Sequence, residues 1–170
     1  KVIASAWVPG VQDFLQNNKE NHIFVLVSAT PQSELEDICK SLKLTGVFCK
    51  IYGAPNNKTE SIRTSMIDYK IPPSACLMIG DAGADIEAAQ DNEIHFIFRK
   101  HQDNTSLPIK SNIQTIDNFC VWEITVFKMI LTSLKKLIFF TYSPSKAAFS
   151  GTVIPSKELT CAKPVSPGLI

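Results

Sequence analysis

Ser28, Lys58, Asp81 and Asp85 are the residues of this 170-residue chain whose types and order suggest chemistry. Asp81 directly follows an apolar run, and Gly80 before it lets the backbone turn tightly there. Asp85 lies four residues further on, so both carboxylates share one face if the intervening loop enters a helix quickly. Such a pair is a hard-oxygen environment suited to Mg²⁺, which takes one or two protein carboxylates and completes its shell with water and phosphate oxygens. The same pattern also suits a turn aspartate at position 81 and a carboxylate at position 85 that complements a helix N-terminus. Lys58 stands at the start of a predicted helix, where a cation opposes the macrodipole. A residue placed against local preference is a site candidate; the alternative is a solvated surface lysine. Ser28 ends a predicted strand, and its hydroxyl could serve a ligand or simply cap a turn.

The scaffold for these residues is legible as alternating strands and helices. Four apolar runs, residues 23–28, 47–52, 75–79 and 94–98, have the β-branched and aromatic content of buried parallel strands. Val8 to Leu15 reads as a turn leading into a short amphipathic helix. Thr30 and Pro31 open the next helix, with Leu35, Ile38 and Leu42 at helical spacing. Ile62, Met66 and Tyr69 mark another that must end before Pro72 and Pro73, and a last one runs from Asp85 to Gln90. This rhythm predicts an α/β fold, a Rossmann-like parallel sheet with helices on both faces. In such sheets ligands bind beyond the carboxyl ends of the strands. Ser28, the Gly53–Lys58 segment and the Asp81–Asp85 run all fall at such ends.

After Lys110 the pattern changes. Val121–Leu137 reads as a helix, Leu137–Tyr142 as an apolar strand-like run, and the remainder as a tail holding four of the ten prolines. Residues 1–110 are therefore expected to form the core, and residues 111–170 a helical segment and a proline-rich tail. Residues 1–110 carry eleven basic and thirteen acidic groups; residues 111–170 carry six and three. The net charge of +1 argues against binding nucleic acid by phosphate neutralisation. Glu123, Lys128, Lys135 and Lys136 interrupt the most apolar stretch, which makes it a poor membrane helix. The five cysteines form no C-x-x-C pair, so no disulfide framework or zinc site is expected, and a reducing cytoplasm suits the pattern. Cys49 reads as a small core residue. His22, His95 and His101 lack metal-ligand spacing; Arg99-Lys100-His101 follows the fourth strand and could border a ligand site at that edge, but reads more simply as a solvated loop.

Taken together, the Pro-Gly-Val lead-in at residues 9–11, the strand ending V-S-A-T-P-Q, the Y-G-A-P-x-x-K segment and the M-I-G-D-A-G-A-D-I-E-A-A run resemble the haloacid dehalogenase-like hydrolase superfamily. The lead-in and the lysine segment look most like its phosphoglycolate-phosphatase-type branch. The resemblance spans about Val8 to Lys100. It implies a Mg²⁺-dependent phosphatase acting on small phosphate monoesters through an aspartyl-phosphate. By the same resemblance, Ser28 would hydrogen-bond a phosphoryl oxygen and Lys58 would balance charge on the phosphoryl group and the nucleophile. Asp81 would ligate the Mg²⁺, with Asp85 supporting the metal or its waters. A phosphomutase of the same superfamily would share these residues.

One part of the pattern is missing. The family's first motif, D-x-D-x-T, supplies the attacking aspartate and the general acid/base from a strand in the middle of the sheet. No two aspartates of this chain are separated by one residue, so no D-x-D is present. The chain begins at Lys1 rather than Met. The expectation is a core incomplete at its N-terminus and without turnover, either a fragment of an enzyme or a non-catalytic binding module that lost its nucleophile by descent. Without the first strand, the strands ending at Ser28 and Ile79 keep unpaired edges, at about 1–3 kcal/mol per buried group. Leu137–Tyr142 is the one segment that could fill that slot. Thr141 and Ser143 stand where aspartates would be needed, so the segment is read instead as part of the tail.

Overall fold

The computed structural model describes residues 7–120 and 136–142. The expected α/β architecture is present: a six-stranded sheet in the order β2-β1-β6-β3-β4-β5, with every adjacent pair parallel. The strands are β1 (His22–Pro31), β2 (Lys50–Ala54), β3 (Cys76–Gly80), β4 (His95–Arg99), β5 (Gln114–Ile116) and β6 (Lys136–Tyr142). The helices are α1 (Val11–Asn18), α2 (Gln32–Ser41), α3 (Lys58–Tyr69) and α4 (Gly83–Asp91). None of them is long and apolar enough to cross a membrane.

Alternation along the strands explains the two cores. Val11, Phe14 and Leu15 of α1 and Leu35 and Ile38 of α2 pack on Phe24, Leu26, Leu77, Ile79, Ile138 and Phe140. On the opposite face Ile62 of α3 and Ala88 and Ala89 of α4 meet Val25, Val27, Met78, Leu137 and Phe139. Strands covered on both sides must be apolar on both sides, and that is why they read as continuous hydrophobic runs.

The sequence reading is corrected in three places. The gap in the sheet is closed: β6 lies between β1 and β3, paired from His22↔Lys136 to Ser28↔Tyr142 on one edge and from Cys76↔Leu137 to Ile79↔Phe140 on the other. The apolar run Leu137–Phe140 satisfies both the backbone edges and the two cores, and Leu137, Ile138 and Phe139 are fully buried. Phe14, Phe24, Phe48 and Phe119 surround Phe140, with ring centroids 5.5–6.2 Å away. The sheet thus crosses the expected boundary at Lys110, drawing β5 and β6 from residues 111–170. The expected helix lies outside the described residues up to position 135, as does the proline-rich tail.

The second correction concerns β2, which begins three residues later than its apolar run. Val47 and Phe48 are buried in a turn, with their N–H groups bonded to the Leu44 carbonyl at 2.9 and 3.4 Å. Burial rather than strand pairing accounts for their apolarity. Lys50 opens β2, ion-paired with Asp68 of α3 and 5.8 and 5.9 Å from the Tyr52 and Tyr69 ring centroids. The third concerns Cys49, which is disulfide-bonded. Cysteine spacing along a chain does not report proximity in the fold.

A strand inside the sheet should carry more stability than a tail segment. Phe139→Ala is expected to cost about 3–5 kcal/mol in urea unfolding, as truncation of a buried phenylalanine does. A cost below about 1 kcal/mol would place β6 outside the cooperative core.

Candidate functional site

The carboxyl edge of the sheet gathers Ser28 from β1, Thr141 from β6, Asp81 just beyond β3, Arg99 from β4 and, across the edge, Lys58 from α3. Local chemistry places each. Asn57 caps α3 by accepting the Glu60 N–H at 3.3 Å, which puts Lys58 at the first helical position. Gly80 ends β3 where a side chain could not fit: a Cβ there would lie 2.6 Å from the Asp85 carboxylate. That close approach lets Asp85 turn back under the loop it follows.

Asp85 is the hub. Its carboxylate is fully buried, and Oδ2 accepts the N–H groups of Asp81 and Ala82 at 3.0 and 3.1 Å. Oδ2 also accepts the Thr141 hydroxyl at 3.0 Å, while Oδ1 takes Lys58 Nζ at 2.5 Å. Thr141 Oγ1 lies a further 3.4 Å from the Ile79 carbonyl. Ser28 is buried, its hydroxyl donating to Thr30 Oγ1 at 3.0 Å and accepting the Thr30 N–H at 3.1 Å.

Asp81 has different neighbours. Its Oδ2 lies 3.4 Å from His101 Nε2 and 3.9 Å from Arg99 Nη1. Asn104 fixes this corner: its side-chain amide donates to the Asp81 and Arg99 carbonyls at 3.0 and 2.9 Å and accepts the His101 N–H at 2.8 Å. Arg99 and His101, expected in a solvated loop, therefore face the site. Their position after a strand at the same edge as the other candidates allowed this, although a solvated loop was the simpler reading. Thr141 stands where the sequence called for an aspartate, and for want of that carboxylate its segment read as tail.

Burial first, and then the charge of Asp85, push the Asp81 carboxyl above its ordinary range, against the pull of His101, Arg99 and Lys58. Burial likewise lowers Arg99 from its usual value, opposed by Asp81. The donor set fits a divalent ion poorly. Both Asp85 oxygens are engaged within the protein, and Asp81 is left as a single carboxylate beside two nitrogen groups that repel a cation when charged. Among the described residues no three His, Cys, Asp or Glu side chains are grouped to hold a metal. Cations and hydroxyls lining one edge suit an anion instead.

Residues 4–98 match the family model for haloacid dehalogenase-like hydrolases. The fold also matches solved structures. CbbY from Rhodobacter sphaeroides, determined in complex with phosphate, aligns with a TM-score of 0.58 at 16% identity, over 66% of this chain and 54% of that one. A superfamily hydrolase from Ehrlichia chaffeensis gives 0.54 at 24% identity, over 66% and 53%. A haloacid dehalogenase-like hydrolase from Streptococcus pneumoniae gives 0.51 at 15%, over 80% and 55%. The chain spans about half the length of each of these structures. No curated protein matches it.

Two outcomes test the geometry. Asp85→Ala leaves Lys58, Thr141 and two amides without their acceptor and is expected to destabilise the fold by about 3–5 kcal/mol in denaturant titration. A loss below about 1 kcal/mol would show that the hub is dispensable. Asp81→Asn should act oppositely. A carboxyl whose pKa is raised by folding contributes stability below its ordinary value of about 3.9, and that contribution is lost as pH rises through the folded value. The variant is therefore expected to melt at a higher temperature than the parent at neutral pH, with the gain shrinking on acidification. A gain independent of pH would exclude this origin.

Proposed function

Because the chain belongs to the haloacid dehalogenase-like hydrolases, we propose that its core binds the phosphoryl group of small phosphate monoesters and does not hydrolyse them. The observation that carries this reading is Thr141. It sits near the end of the strand between β1 and β3, its hydroxyl bonded to Asp85, where the resemblance calls for an attacking carboxylate. A threonine hydroxyl is a weak nucleophile without an adjacent base to take its proton. The group beside it, Asp85 Oδ2, already accepts two backbone N–H groups.

Phosphoryl transfer depends on positioning and on stabilising charge around the transferring group. Lys58, held against Asp85, supplies such charge at this edge, and Ser28 and Thr30 place two hydroxyls at the neighbouring strand end. These parts support recognition of a phosphoryl group and omit the step that forms a covalent intermediate. Hydrolases of this family generally use Mg²⁺. The donor set around Asp81 and Asp85 fits such an ion poorly, so the charge facing a phosphoryl group comes from the side chains themselves.

The reading is tested with the 170-residue chain and p-nitrophenyl phosphate in millimolar Mg²⁺. Hydrolysis is expected to match that of the Lys58→Ala variant, whereas phosphate monoesters raise the parent's Tm and their parent alcohols do not. A rate well above the variant's would overturn the absence of turnover. Equal shifts from ester and alcohol would overturn phosphoryl recognition.

A further inference from the structure

We infer that Arg99, together with Lys58 and His101, forms a metal-independent anion clamp at the carboxyl edge of the sheet, holding a phosphoryl group that would otherwise need a divalent ion. The inference rests on the phosphoryl-binding reading and adds the source of the positive charge.

Arg99 is the first reason. Its side chain is only 16% exposed. Among the described residues, Nε is buried without a hydrogen-bond partner. The nearest carboxylate oxygen, on Asp81, lies 3.9 Å away, beyond hydrogen-bonding distance. A buried guanidinium N–H left unmet is costly unless it has something to bind, and the planar fork that carries it matches phosphate oxygens two at a time.

Preorganisation is the second. Asn104 joins the carbonyls of Arg99 and Asp81, so the end of β4 cannot drift from the loop after β3. His101 Nδ1 accepts the Asp103 N–H at 3.3 Å, which leaves the ring proton of a neutral His101 on Nε2, the nitrogen facing Asp81. The clamp thus presents N–H donors whether or not the imidazole is charged. Lys58 uses one of its three N–H bonds on Asp85 and retains two.

Competition is the third. A divalent ion at Asp81 would share the corner with Arg99, and like charges this close repel strongly away from bulk water. An anion placed there is drawn by the same groups. The carboxylate of Asp81 opposes it, so this residue limits affinity rather than supplying it.

Isothermal titration of the full chain with inorganic phosphate, once in EDTA and once in millimolar Mg²⁺, tests the assignment. The two dissociation constants are expected to agree within about twofold, with Arg99→Met weakening binding by at least about tenfold. Arg99→Lys, which keeps the charge and the fold but loses the fork, is expected to weaken it about threefold or more. Asp81→Asn should tighten it. Phosphate that binds only in Mg²⁺ would overturn the clamp while leaving phosphoryl recognition standing, and so would an unchanged affinity in Arg99→Lys. Phosphate that binds in neither buffer would remove the recognition reading as well.

Discussion

A buried carboxylate must find partners for all its lone pairs, and Asp85 finds them in four directions. Its ligands come from the loop after β3, the first residue of α3 and the end of β6. Lys58 alone would be a cation at the wrong end of a helix; its ion pair with Asp85 holds it there. Thr141 alone would be a polar intrusion at the end of an apolar strand; against Asp85 it completes the shell. The carboxyl edge is therefore cross-braced by one ionised group, and the register of β6 against β3 is tied to the same point.

That arrangement separates the two aspartates. Asp85, fully engaged, is an architectural charge. Asp81 shares its loop but meets only distant or weakly aligned partners, and burial raises the cost of its ionisation. Four residues apart in sequence, they differ because one turns inward past Gly80 and the other faces β4. A motif defined by spacing treats the two carboxylates as equals, whereas packing does not.

Much of this was legible in the sequence, and for identifiable reasons. Apolar runs flanked by turn residues located β1, β3 and β4 to within a few residues, because strands covered on both faces have no polar alternation to blur them. The edge rule for parallel sheets pointed to the strand ends, where Lys58 meets Asp85 and the Asp81 N–H bonds to the same carboxylate. What stayed hidden needed three-dimensional information. The slot between the strands ending at Ser28 and Ile79 was legible, and so was Leu137–Tyr142 as its one candidate, but the missing aspartates pointed to a tail segment instead. Val47 and Phe48 mimic a strand because burial selects the same side chains in a turn. Arg99 and His101 look like solvent-facing residues until Asn104 folds their segment back onto Asp81.

The place of β6 also governs when the sheet can form. Among the described strands it comes last in chain order yet stands third of six across the sheet, between β1 and β3. The pairings that β6 makes span 61 residues to β3, as between Cys76 and Leu137, and 114 to β1, as between His22 and Lys136. Such distant pairing makes folding slow and leaves two sticky strand edges open in the meantime. Until β6 is in place, the facing edges of β1 and β3 are templates on which any other exposed strand could pair.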